Sequence, residues 1–258
     1  MRSLLEVEPL TPKVLHYCWF GGKPLPQKAQ ANVERWQELM PDYEIVRWDE
    51  SNFDVDECPY ARDAYKAGKW AFVSDYARFK VVYDNGGTYM DIGSELLKSI
   101  DPLVKESGFT ACDYESHAVN PGLVLSAGAH SDLIGEVLES YRNLDFVDSI
   151  EFLYSHTVNH IFGEVLERYG YQWGVDALWE YDSFRVYPSE YFCPKLDFGG
   201  FKCTSRTYST HVSTASWLPA GERFRIGFIN KWAPYVGDFI ARKIARILSL
   251  TLYKGDTR

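Results

Sequence analysis

The spacing of apolar positions along the chain predicts an α/β order of elements. Lys13–Phe20 (KVLHYCWF) is a short apolar, β-prone run that stops at Gly21-Gly22, the pattern of a buried strand followed by a loop. Over Gln27–Met40, residues Ala29, Val33, Trp36 and Met40 fall on one helical face, and Pro41 ends the run. Tyr43–Trp48 reads as a second strand. The opening segment is therefore β-α-β, the start of an α/β sheet.

Trp70–Asp84 then reads as a helix, with Ser74-Asp75 near its first turn and Asn85-Gly86-Gly87 closing it, because glycine takes the left-handed position after a helix without steric cost. Thr88–Asp91 follows as a short strand that delivers Asp91 at its carboxyl end. Ligands of open α/β sheets bind outside such strand ends. Downstream, Gly122–Ala127 is an apolar strand, and Ser131–Tyr141 is an amphipathic helix with Ile134, Val137, Leu138 and Tyr141 inward. Phe152–Tyr169 reads as helical, Phe184–Tyr187 as a strand, Phe192–Ser205 as a loop and Val236–Leu252 as a terminal helix. No internal repeat, low-complexity segment or clear linker interrupts this order.

Composition narrows the class. The chain has 258 residues, 46% hydrophobic and 24% charged, which fits one large globular domain, or one and a half, rather than disorder. Aromatic residues make up 16%, a supply of flat rings that suits either sugar or base stacking or a core. The formal charge of -9 argues against nucleic acid, whose partners carry a basic face. That charge is uneven: from Glu222 onward there are eight Lys/Arg against three Asp/Glu, a local +5. The tail Lys231–Arg258 sets Ile240, Ile244, Ile247 and Leu248 in one stripe flanked by Arg242, Lys243 and Arg246. Such a basic amphipathic helix either docks on its own domain or lies on an anionic lipid surface. The five cysteines form no CxxC and their number is odd, which excludes a disulfide framework or zinc ribbon and favours a reduced setting. Cys193 and Cys203 read as buried small hydrophobes. Met1–Lys13 carries Glu6 and Glu8 without a long apolar run, so a signal peptide is not expected.

The segment richest in chemistry is Trp70–Leu97 (WAFVSDYARFKVVYDNGGTYMDIGSELL). Asp75 and Arg78 share a helix face at i,i+3. Asp91 follows a tight Gly-Gly turn, with Glu95 four residues on. A strand-end carboxylate can hold a hard divalent cation against a diphosphate. The bland alternative is a surface ion pair and a solvated loop carboxylate. His156 and His160 stand at i,i+4 but lack the HExxH glutamate, so an ordinary polar helix face is the better reading than a metal pair. Neither GxGxxG nor GxxxxGK[ST] occurs. Asp113, Glu115 and Asn120 read as acceptor contacts or as a solvated loop.

These motifs together resemble the DXD-containing sugar transferases of glycosyltransferase family 32, which include yeast mannosyltransferases and bacterial capsular polysaccharide enzymes and, more distantly, glucosylating clostridial toxins. The matching residues are Ser74-Asp75-Tyr76-Ala77-Arg78, then Gly86-Gly87-Thr88-Tyr89-Met90-Asp91-Ile92-Gly93-Ser94-Glu95. The opening Pro12–Gly22, the late Tyr187–Pro194 and the closing His211–Trp217 (HVSTASW) also resemble the family. Two positions depart from its pattern: Gly93 stands at the second Asp of DXD, and Val212 at the second His of the closing pair.

The resemblance implies a GT-A-type, Rossmann-like fold with a mixed sheet flanked by helices. It implies a retaining glycosyltransferase that moves a sugar from a nucleotide-sugar donor, UDP favoured, to a glycan or lipid-linked acceptor in surface polysaccharide synthesis. A non-catalytic sugar-nucleotide binder with a degenerate DXD site is the alternative. By this likeness Asp91, Arg78 and Glu95 are the catalytic candidates. His16, Trp19, Trp70, Asp75, Arg78, Ser216 and Trp217 would shape the donor site. Asp91 and His211 would meet Mn²⁺ or Mg²⁺. The expected organisation is a catalytic domain over 1–220, with a donor part over 11–109 and an acceptor part over 110–220, then a basic tail over 221–258. Cytoplasmic placement with peripheral contact at the inner membrane face completes the expectation.

Overall fold

The first apolar run becomes β1 (Val14–Cys18), and the amphipathic stretch after it becomes α1 (Gln27–Leu39), with Trp36 buried. β2 (Glu44–Trp48) returns parallel to β1. The computed structural model describes residues 11–104, 108–195 and 200–211, with scattered helical positions between 224 and 244. The tail expectation over Val236–Leu252 therefore lies mostly outside the described residues.

A short helix absent from the sequence reading, α2 (Pro59–Lys66), starts with proline at its first turn, where a missing N–H costs nothing. It leads into α3 (Trp70–Asn85), which is buried along nearly its whole length: Phe72, Val73, Tyr76, Ala77, Phe79, Val81 and Val82 are all in the core. An almost wholly buried helix must satisfy any polar side chain it carries, and this one carries Asp75 and Arg78. After α3, β3 (Gly87–Tyr89) and β4 (Ser94–Leu96) flank the Asp91 turn, followed by α4 (Asp101–Val104) and β5 (Gly108–Ala111). The second half contributes β6 (Leu125–Ala127), α5 (Asp132–Arg142), α6 (Ile150–Ser155) and α7 (Val158–Glu167). It closes with β7 (Trp179–Tyr181), β8 (Phe184–Tyr187) and β9 (Ser209–His211).

Among the described residues, seven strands form one mixed sheet in the order β2-β1-β3-β6-β5-β8-β7, and β4 and β9 make a separate two-stranded ribbon. β1 is parallel to β2 and β3, whereas β6 is antiparallel to β3 and β5. Two apolar layers result. One joins α2, α3, α5 and α7 through edge-to-face rings such as Tyr60–Tyr141, at 4.9 Å, and Phe79–Phe162, at 5.2 Å. The other sets α1, α4 and the ribbon around Trp36, Phe109 and Phe192. Much of the aromatic content thus builds core.

The single helix expected over Phe152–Tyr169 is two helices, α6 and α7, because Thr157 leaves the helix and caps α7 with its side chain. His156 ends the first and stacks on Phe152 at 4.3 Å, while His160 packs against Trp173. They form no metal pair, and no group of three metal-ligating side chains occurs among the described residues. All five cysteines are free; Cys193 is buried as expected, but Cys203 is exposed. Among the described residues no helix is long and apolar enough to cross a membrane.

The turn from α3 into β3 is sterically tight. Gly86 and Gly87 have φ of +66° and +101°, and a Cβ on Gly87 would lie 2.7 Å from the Val14 carbonyl oxygen and 2.9 Å from His16 Nε2. Backbone in that region is strained for any other residue. Gly87→Ala should lower unfolding free energy by about 1–3 kcal/mol, read from urea titrations; an unchanged midpoint would contradict this account of the turn.

Candidate active site

The site grows from the buried stretch of α3. One turn apart, Asp75 and Arg78 point to the same side, and Arg78 Nη2 donates to Asp75 Oδ1 at 2.7 Å. Only 4% of the Arg78 side chain and 11% of that of Asp75 are exposed. The same Nη2 lies 3.6 Å from Asp91 Oδ1. Arg78 also stacks over the Tyr89 ring, 5.1 Å from its centre, and the Tyr89 hydroxyl donates to Asp91 Oδ1 at 2.7 Å. One guanidinium therefore spans two carboxylates, and a phenol fixes the second.

Asp91 sits just beyond β3, at the point where the sheet changes from parallel to antiparallel pairing. Its N–H donates to the Gly122 carbonyl at 2.9 Å, and its own carbonyl accepts from Ser94 N–H at 2.9 Å. Its side chain is about one-third exposed, at 34%. Among the described residues, no group donates a hydrogen bond to Oδ2. Gly122 makes room for this arrangement: a Cβ there would meet Asp91 Oδ2 at 2.4 Å, Arg78 Nη1 at 2.8 Å and Asn120 Oδ1 at 3.1 Å. The Asn120-Pro121-Gly122 turn is the signal in the sequence for this second wall of the site; local spacing carries no signal for the Tyr89 hydroxyl.

Burial governs the charges. Asp75 is pushed up to about 7 by loss of water, with Arg78 opposing and Asp91 adding to the shift. Burial works against the charge on Arg78, but Asp91, Tyr89 and Asp75 outweigh it and keep the guanidinium protonated. His211, at the end of β9 and paired in register with Ser94, is held below its ordinary value by burial, against the pull of Asp91. Its imidazole is neutral at neutral pH and keeps a lone pair. Lys195, Arg78 and Asp113 lie within electrostatic reach of the same ring.

The other expected residues are distributed less evenly. His16 is 1% exposed and both its ring nitrogens are engaged: Nε2 faces the Gly86 carbonyl at 2.8 Å, and Nδ1 accepts from Trp48 Nε1 at 3.1 Å. It ties β1 to β2 and to the Gly86 turn rather than facing a ligand. Trp19 is half-buried and donates to the Lys23 carbonyl at 2.6 Å. Trp70 packs against Gly21, whose Cβ position would fall 2.7 Å from the indole nitrogen. Glu95 is exposed, between the buried neighbours Ser94 and Leu96; strand alternation sends it to the side of the ribbon opposite Ser94 and its partner His211. Ser216 and Trp217 lie outside the described residues.

For a metal, the described residues supply one carboxylate, Asp91, and one imidazole within its electrostatic reach, His211. Gly93 contributes no ligand. That set does not make a resident metal centre. It does suit a hard cation carried by a diphosphate, which needs only one or two protein carboxylates, and the open Asp91 Oδ2 is the atom that fits.

Residues 26–110 match the family described as the glycosyltransferase sugar-binding region containing the DXD motif. The chain is 30% identical over 97 residues to inositol phosphoceramide mannosyltransferase 3 of Schizosaccharomyces pombe, covering 36% of this chain and 27% of that protein. It is 21% identical over 249 residues to mannosyl phosphorylinositol ceramide synthase SUR1 of Saccharomyces cerevisiae, covering 89% of this chain and 61% of that protein. The chain thus spans less than two thirds of the length of each of these relatives. Among solved structures, the PaToxG glycosyltransferase superposes with a TM-score of 0.50 at 16% identity, over 63% of this chain and 70% of that one. The fold is the GT-A type of glycosyltransferases, as expected.

Two outcomes test the site geometry. Gly122→Ala should displace Asp91 and Arg78 while leaving the fold intact, and donor affinity should fall at least about 10-fold by calorimetry, the scale of one lost charged contact; unchanged affinity would show that the cluster does not need the open position. The Asp75 carboxyl keeps its proton to about 7 when folded but only to about 4 when unfolded. The folded state binds more protons between those values, so this group lowers stability as pH rises across them. Relative to the wild type, Asp75→Asn should therefore gain stability from pH 4.5 to 7 and level off above; a difference independent of pH would contradict a buried, protonatable Asp75.

Proposed function

We propose that this chain, which carries the sugar-binding region of the DXD glycosyltransferases on a GT-A-type fold, transfers a sugar from a nucleotide-sugar donor to a hydroxyl of a glycan or lipid-linked acceptor. The observation that carries the reading is the Asp75–Arg78–Tyr89–Asp91 cluster at the carboxyl end of β3. It lies inside the matched region and leaves one carboxylate oxygen open at the sheet's ligand-binding edge.

In this reading Arg78 is a positioning residue. Its charge is committed to Asp75 and Asp91, so it orients the carboxylates rather than meeting the donor. Asp91 is the group that faces the donor. A divalent cation, Mn²⁺ or Mg²⁺, would be held by Asp91, with His211 beside it, and would supply charge neutralisation at the diphosphate. Neutral His211 offers a lone pair to that cation or to a donor hydroxyl. Preorganised charge aimed at a leaving group is the large catalytic term for such reactions. We further propose retention of anomeric configuration and UDP as the base-bearing carrier. The named relatives act on inositol phosphoceramide or are named as making its mannosyl product, which supports a lipid-borne head group as one acceptor class beside a surface glycan. Peripheral membrane contact at a cytoplasmic face belongs to the same proposal. It is supported by Trp232, Tyr235 and Ile240, which are helical and exposed near the basic tail residues.

Gly93 in place of a carboxylate favours one competing reading, a binder that has lost turnover. Both readings are tested by adding UDP- and GDP-sugars with Mn²⁺ present. A recognised donor should raise the melting temperature by mass action, and donor turnover should fall roughly 100-fold or more in Asp91→Ala. Full turnover in a folded Asp91→Ala chain would remove Asp91 from the site. Binding without turnover across a panel of acceptors would establish the binder.

A further inference from the structure

A second cavity lies apart from Asp91, on the layer that holds the ribbon and α4. Its volume is about 390 Å³, and Lys98, Arg185, Arg206, Tyr187, Tyr191 and Tyr208 line it, together with Leu103, Leu178 and Glu180. That volume suits a small polar ligand. Three features of its wall are specific.

The first is a column of rings. Tyr191 stacks on Tyr187 at 4.7 Å and on Tyr208 at 6.2 Å, with interplanar angles of 26° and 13°. The second is charge. Arg185 pairs with Glu180 at 2.5 Å and Arg206 with Glu190 at 2.6 Å, but Lys98 meets no carboxylate among the described residues. Its ammonium lies 4.1 Å from the centre of the Tyr208 ring and donates to the Ser205 carbonyl. Lys98 is thus half-buried, positioned, and without a carboxylate partner among the described residues. The third is place. Tyr208 is three residues before His211 on the same strand end, and its carbonyl accepts from Leu97 N–H at 2.8 Å. At strand rise that sets the cavity about 10 Å along the ribbon from His211.

The faces of these rings are taken up by one another and by Lys98, so they offer a sugar or polyol their edges and hydroxyls: an apolar rim with hydrogen-bond partners. A held ammonium that meets no carboxylate among the described residues adds selectivity for an anionic substituent. We propose that this cavity is a second carbohydrate site, for a saccharide or polyol unit that bears a phosphate or a carboxylate. It does not depend on the transferase reading, because binding there needs neither donor nor Asp91.

The test titrates the full chain, without nucleotide, by calorimetry or by NMR shifts. The probes are myo-inositol 1-phosphate and glucuronic acid, with myo-inositol, glucose and inorganic phosphate as comparisons. At least one anionic polyol or saccharide should bind at least about 10-fold tighter than its neutral counterpart and than phosphate alone, a difference on the scale of one charge-assisted contact. Lys98→Gln and Tyr191→Ala, each with an unchanged melting temperature, should each weaken that binding at least as much, and Asp91→Ala should leave it unaltered. Equal binding of inorganic phosphate would reduce the cavity to an anion site and overturn the proposal. So would binding lost in Asp91→Ala but kept in Lys98→Gln, or no binding of either anionic probe.

Discussion

One guanidinium between two carboxylates organises this protein. Arg78 and Asp75 are carried into the interior on a helix that is otherwise apolar on nearly every side, and water cannot solvate them there. Within the set, Arg78 carries the charge that both carboxylates face, 2.7 Å from Asp75 and 3.6 Å from Asp91. Asp75 answers the buried charge of Arg78 within α3, and Tyr89 and Asp91 meet the same guanidinium at the end of β3. The glycines follow from the same constraint. Gly86 and Gly87 turn the chain sharply enough to bring Asp91 back over Arg78, and Gly122 withholds the carbon that would push the carboxylate away.

The same cluster separates two roles that look alike in a motif. Asp75 and Arg78 are nearly closed to solvent, whereas the Asp91 side chain is about one-third exposed. The buried pair holds the exposed group in place. His16 acts in a similar way at longer range. With one ring nitrogen on Gly86 and the other on Trp48, it joins two strands to the turn that precedes Asp91. A histidine so engaged is a fixed, neutral bracket, and burial lowers its affinity for a proton accordingly.

Aromatic residues divide by location rather than by type. Tyr60, Tyr76, Phe79 and Tyr141 fill the layer between α2, α3 and α5, where edge-to-face contacts add to their apolar burial. Tyr187, Tyr191 and Tyr208 instead line a cavity with three cations. Composition alone could not divide these two groups, because a ring's role depends on what faces it.

Local periodicity was enough to place β1, α1, β2, α3, α5 and β8 close to their observed bounds, because each has a long or sharply bounded apolar pattern, and β1, α1, α3 and β8 also have a glycine or proline stop. The Asp75–Arg78 spacing and the Gly-Gly turn before Asp91 were likewise legible, since helix geometry and turn chemistry act within a few residues. The three-residue strands β4, β7 and β9 and the short helix α2 were not legible, because their stability comes from partners distant in sequence. Tertiary structure alone decided that His16 faces the chain and not a ligand, that Glu95 turns away from His211, and that Gly122 and Tyr89 complete the site. It also brought Lys98 to Tyr208, more than a hundred positions away. Side-chain burial and long-range pairing set those outcomes, and neither is encoded in the spacing of neighbours.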